Sequence, residues 1–142
     1  MAYTLRMVIV ADNHYSISDS DSPECGFCEQ THKALDRIIY SIENDIKPDL
    51  VMFLGDAVLG EGATKLNEKQ TLELNQLFKS IADKALTRPY LHAQGNHDGP
   101  NFQKVFGPAN KNEIVGGYNL LLMAIDYSNW TAGLGKFSAW DT

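Results

Sequence analysis

The stretch Leu50-Val51-Met52-Phe53-Leu54-Gly55-Asp56 constrains the chain most. A short unbroken apolar run that stops at a glycine and a carboxylate reads as a strand buried on both faces, with Asp56 at its C-terminal end. Open α/β sheets place their chemistry at such ends. Two more runs finish the same way: Met7-Val8-Ile9-Val10-Ala11 leads into Asp12-Asn13-His14, and Pro89-Tyr90-Leu91-His92-Ala93 leads into Gln94-Gly95-Asn96-His97-Asp98. Carboxylates, an amide and imidazoles are thereby brought to three strand ends.

Between these runs lie helices. Leu35, Ile38, Ile39, Ile42 and Ile46 recur at three and four, which predicts an amphipathic helix over residues 31–45, stopped by Pro48. Asn67 with Gln70 three residues on has the form of a capping box, opening a second helix with Leu74, Leu77, Phe78, Ile81 and Ala85 on one face. A short helical turn with Phe102, Val105 and Phe106 is bracketed by Gly99-Pro100 and Gly107-Pro108, and a last strand is expected from Tyr118 to Ile125, ending at Asp126. This alternation implies right-handed crossovers and a largely parallel sheet. With 142 residues the chain is expected to be one domain.

A net charge of −6 excludes a broad electrostatic grip on nucleic acid or an anionic membrane, so a negatively charged substrate would need another anchor, such as bound metal. No leader-like segment and no apolar run of membrane-spanning length is present, from which a cytoplasmic location is expected.

Asp, His and Asn together are hard-to-borderline ligands suited to Zn, Mn or Fe. Asp12 and His14 alternate along a segment read as extended, so both can face one way. Asp56, on the strand between the other two, is the natural bridge for two metals, and Asn96 a neutral ligand for the second. Water whose pKa is lowered towards about 7 would attack, the cations would clamp the phosphoryl oxygens, and His97 would protonate the leaving oxygen or hydrogen-bond the transition state.

Cys25-Gly26-Phe27-Cys28 with His32 has the spacing of a metal knuckle or redox pair, but there is no second cysteine pair, and two reduced thiols packing a loop is favoured roughly two to one. His92, within a strand, is read as a core or sheet-face residue at roughly three to one over a ligand.

Asp12-Asn13-His14, Gly55-Asp56 and Gly95-Asn96-His97-Asp98, in that order and each after a strand, resemble the first three motifs of the calcineurin-like metallophosphoesterases. The Pro48-Asp49-Leu50-Val51 lead-in, the Phe106-Gly107-Pro108 turn and the late strand closing on Asp126 are similar too, so the resemblance runs from Leu5 to Asp126. It implies an α/β sandwich of two sheets flanked by helices, two divalent metal ions, and hydrolysis of phosphate mono- or diesters, the substrate being a small phosphate ester or nucleotide. Carried over by position, Asp12 and His14 bind the first metal, Asp56 bridges, Asn96 binds the second and His97 is catalytic, with Asp98 a supporting carboxylate. Leu59, Gly60 and Asp98 replace the Asp, Arg and Glu of the phosphoprotein-phosphatase branch, which argues against that branch and removes the carboxylate that would orient His97.

The family's later metal-binding histidines have no counterpart, since neither His32 nor His92 lies in such a motif. The chain thus resembles the N-terminal portion of the domain, incomplete at its C-terminus. An apolar strand over Leu120–Ile125 would invite dimerisation or a missing second half. A catalytically silent half-domain or interaction subunit, and a phosphoacceptor signalling domain using Asp56, are the alternatives.

Overall fold

The computed structural model describes residues 4–16, 28–60, 66–108, 110–115 and 118–123. Cys25, Ile125 and Asp126 lie outside the described residues, as does the tail from 124 onward. Cys28 and His32 are placed only as backbone of the first helix, so the knuckle reading rests where the sequence left it. Among the described residues no helix is long and apolar enough to cross a membrane.

Strands β1 (Met7–Val10), β2 (Leu50–Leu54) and β3 (Tyr90–Ala93) form a parallel sheet in the order β1-β2-β3. Register pairs Ile9 with Met52 and Phe53 with His92. Helix α1 (Cys28–Ser41) crosses from β1 to β2 and α2 (Glu68–Ala85) from β2 to β3. Right-handed crossovers in a sheet that grows in one direction put both helices on the same face. Accordingly Leu35, Ile39 and Ile42 from one and Leu74, Phe78 and Ala82 from the other share a core with Val51 and Phe53, joined by Phe102 and Phe106 of α3 (Phe102–Phe106).

The first helix begins three residues earlier than its periodicity implied, and after Ser41 it widens into a π-helical turn, Ile42–Ile46. Lys47, at φ 48°, then leaves the helix because Pro48 makes the right-handed helical conformation costly for the residue before it. The capping box is present in both directions: Asn67 Oδ1 accepts from the Gln70 amide at 3.0 Å and Gln70 Oε1 from the Asn67 amide at 3.0 Å.

Two expectations are corrected. The strands are not largely parallel throughout, as alternation suggested: β4 (Asn110–Val115) pairs antiparallel with β5 (Tyr118–Met123) in a second sheet, and two sheets are what the resemblance implied. The run Asn110-Lys111-Asn112-Glu113 is polar throughout and carries no apolar alternation, which hid β4 from the sequence. Nor is β2 buried on both faces: Val51 and Phe53 are, but Leu54 is 47 % exposed, as are Met7 and Ile9 beside it at 49 % and 60 %. That second face is covered only in part, by a small cluster of Leu50, Leu91 and Val115.

His92 is the core residue the sequence suggested. Its ring stacks on Phe53 at 4.8 Å and 14°, with Phe78 and Phe106 centred 5.1 and 4.4 Å away.

Candidate metal centre

The strand ladder does not end where the strands do. Beyond β1 and β2 the two chains stay side by side: the Asp12 amide donates to the Gly55 carbonyl at 3.3 Å, His14 to Asp56 at 2.9 Å and Tyr15 to Ala57 at 2.9 Å, and Leu59 donates back to Tyr15 at 3.0 Å. Tyr15 is buried against Phe78 and anchors this extension in the core. Asp12 and His14 are therefore held beside Asp56 by backbone bonds.

The conformation differs from the extended segment expected. Asp12, His14 and Asp56 have φ of 54°, 45° and 47°. Left-handed backbone is uncommon for non-glycine residues, although Asp and His tolerate it better than most, and such strain clusters where side chains are aimed at a ligand. The shared outcome, both side chains on one side, is reached by a left-handed backbone at Asp12 and His14 rather than by alternation along a strand.

One ligand atom from each of Asp12, His14 and Asp56 lies within 4.8 Å of the other two. His14 Nε2 is 4.0 Å from Asp12 Oδ1. Asp12 is exposed, while His14 and Asp56 are half-buried. Two carboxylates and an imidazole converging from two strand ends form a hard-to-borderline donor set, which fits a divalent cation.

The turn after β3 packs against this triad. The His97 amide donates to Asp56 Oδ1 at 2.9 Å, and the His97 ring stands edge-on to His14, centroids 4.9 Å apart. Such closeness requires Gly95: a Cβ there would sit 2.1 Å from Asp56 Oδ1 and 2.3 Å from the Asp56 nitrogen. Asn96 lies exposed on the same turn. The Nδ1 atoms of His14 and His97 are enclosed and have no hydrogen-bond partner among the described residues.

Asp98 is buried, its Oδ2 accepting from the Gly95 amide at 2.7 Å and its Oδ1 from Val58 at 3.2 Å. Desolvation pushes its pKa up to about 6 despite those two bonds, and the charge of Asp56 adds to the rise. Both oxygens are spent on backbone, so Asp98 ties the β3 turn to the β2 loop, and the His97 Nδ1 is left without a hydrogen-bond partner among the described residues.

Sequence reasoning missed Asn75. It is fully buried, and its Nδ2 donates to the Asp98 carbonyl at 2.7 Å. The available signal was its position: four residues after Thr71 and three before Phe78, a polar amide sits on the apolar stripe of α2.

Residues 5–140 match the family model described as calcineurin-like phosphoesterase. No curated protein matches the chain.

Proposed function

We propose, from the premise that this chain belongs to the calcineurin-like phosphoesterase family, that it hydrolyses phosphate mono- or diesters at a two-metal centre built on its three strand ends. The family's chemistry is metal-dependent phosphoester hydrolysis. The observation that carries the reading for this chain is the convergence of Asp12, His14 and Asp56 to within 4.8 Å from separate segments.

In this reading Asp12 and His14 hold one metal, Asp56 bridges, and Asn96 serves the second. His14 would bind through Nε2, the nitrogen nearest Asp12, because Nδ1 is enclosed. Divalent cations bound there would supply Lewis acidity, lowering the pKa of water and neutralising charge on phosphoryl oxygens. Asp56 has a second task, since one of its oxygens already accepts the His97 amide and so sets the height of the β3 turn. His97 presents Nε2 to the leaving oxygen, its Nδ1 being enclosed, and donates a proton or a hydrogen bond as negative charge develops there. Residues 1–142 act as one domain in this reading, with metal identity among Mn, Zn and Fe.

A second reading, a partial metal site without turnover, is favoured by the ligand count. His92 is spent on the aromatic core, and the described histidine side chains near the triad are His14 and His97 alone.

Elemental analysis of the purified protein, with hydrolysis of p-nitrophenyl phosphate and its bis-ester in added manganese, separates these readings. Metal with turnover supports the enzyme, and metal without turnover supports the silent site. Asp56→Asn is expected to abolish metal retention, whereas His97→Ala keeps metal and loses about 10²- to 10⁴-fold in rate. The reverse pattern would refute the assigned roles, and acetyl-phosphate labelling of Asp56 would favour a phosphoacceptor domain.

A further inference from the structure

The β3 turn has a floor as well as a neighbour. Besides the bond from the His97 amide to Asp56, its backbone is seated on α2 and on the loop after β2 by contacts that involve no metal-site side chain. Asn75, fully buried, spends its amide on the Asp98 carbonyl at 2.7 Å. The acceptor is a carbonyl, so the atom facing it must be the NH₂ group, and the orientation of the amide is settled by chemistry. Asn75 Oδ1 is enclosed and has no hydrogen-bond partner among the described residues. Burying an amide with half its capacity unused costs stability that an apolar residue at this stripe position would not.

The second contact is steric. A Cβ on Gly60 would lie 2.0 Å from the His97 carbonyl oxygen and 2.5 Å from Thr71 Cγ2, so the β2 loop, the His97 backbone and α2 meet at a point where no side chain fits. Thr71 and Asn75 are one helical turn apart on the same face of α2. The helix therefore meets the turn directly at the Asp98 carbonyl and, across Gly60, faces the His97 carbonyl.

We propose that Asn75 is a positioning residue for His97: through the Asp98 carbonyl, and with the close approach of Gly60, it holds the β3 turn at the height that keeps the His97 imidazole against His14. This rests on the catalytic role assigned to His97 above. Among the described residues the Asn75 side chain bonds to the Asp98 backbone, and its effect passes through the turn. The tolerance for its half-satisfied burial follows, because a displacement of about 1 Å at a reacting group can cost about 10²-fold in rate.

The test uses Asn75→Ala, Asn75→Leu, His97→Ala and the Asn75→Ala/His97→Ala double variant in the full chain with manganese, assayed on the bis-p-nitrophenyl ester. Metal content, kcat, KM and the imidazole NMR resonances of the metal-free protein are read. Asn75→Ala is expected to keep its metal and a KM within about twofold, to lose roughly 10- to 100-fold in kcat, and to shift the His97 ring resonances. In the His97→Ala background the same change costs no more than about twofold, since residues acting as a unit are non-additive. If Asn75→Ala fails to fold by circular dichroism, Asn75→Leu, which removes the amide and keeps its volume, carries the test with the same expectations. An unmoved His97 ring with wild-type kcat overturns the proposal, as does an equal fold-loss in both backgrounds. Should His97→Ala turn over like the parent, the catalytic reading fails, and the ring resonances alone decide whether Asn75 positions the turn.

Discussion

Asp12, His14 and Asp56 share a backbone conformation as well as a site. Each stands at positive φ, and each is held there by the bonds that extend the β1-β2 ladder past its last regular pair. Strain of this kind costs of order 1–3 kcal/mol per residue and persists where the surroundings over-determine it. The most sensitive neighbour is Gly95, whose missing side chain makes room for Asp56. Gly95→Ala is expected to push the Asp56 carboxylate aside, destabilise the fold by about 1–3 kcal/mol in a urea titration, and weaken manganese binding measured by calorimetry. A variant that binds metal like the parent would show that the two loops can part without cost. The candidate ligands Asp12, His14 and Asp56 were legible from short motifs, because each lies within a few residues of a strand end. The twist at each was not, because φ is dictated by hydrogen bonds to a strand some forty residues away.

Among the elements, α2 does the most structural work for the site. Its start is written in sequence by the reciprocal Asn67 and Gln70 bonds, and Asn67→Ala should cost about 1 kcal/mol of stability, seen as a lower urea midpoint at unchanged slope. Its buried face could be read from the spacing of Leu74 and Phe78, but Asn75 on that face could not be given a partner, since Asp98 is distant in sequence and its carbonyl is offered only once β3 is in place. The π-helical turn after α1 supplies a pH-dependent tie. Burial would raise the Glu43 pKa, but hydrogen bonds from the Thr87 amide and hydroxyl, with Arg88 adding, outweigh it and leave the carboxyl below its ordinary 4.5. A carboxylate lowered in the folded state contributes stability above its unfolded value, and that contribution is lost as pH falls through the folded one. Glu43→Gln is therefore expected to lower thermal stability slightly at neutral pH, the loss being small because the group is largely solvated, and to converge with the parent well below about pH 4.5, so that its stability varies less with acid.

For the molecule as a whole, the two faces of the parallel sheet differ. One is closed by both helices over Phe53, Phe78, Phe102 and the His92 ring, and the other leaves Met7, Ile9 and Leu54 about half exposed. Phe78→Ala is expected to cost about 3–5 kcal/mol, whereas Ile9→Thr should stay within about 0.5 kcal/mol; chemical denaturation of the two variants checks the asymmetry, and equal losses would mean the exposed face is covered in solution.

The sequence by itself determined the parallel β-α-β-α-β order, the boundaries of α2 and the residues at the strand ends, because periodicity, capping and motif spacing are local properties that neighbours in the chain express directly. Tertiary structure decided the separate antiparallel pair, the left-handed backbone at Asp12, His14 and Asp56, the seat of Asp98, and the approach of Gly60 and Asn75 to the β3 turn. Apart from that pair, whose first strand carries little apolar signal, these are close contacts between segments tens of residues apart, and packing at van der Waals distance is specified by which surfaces meet, a quantity no local pattern contains.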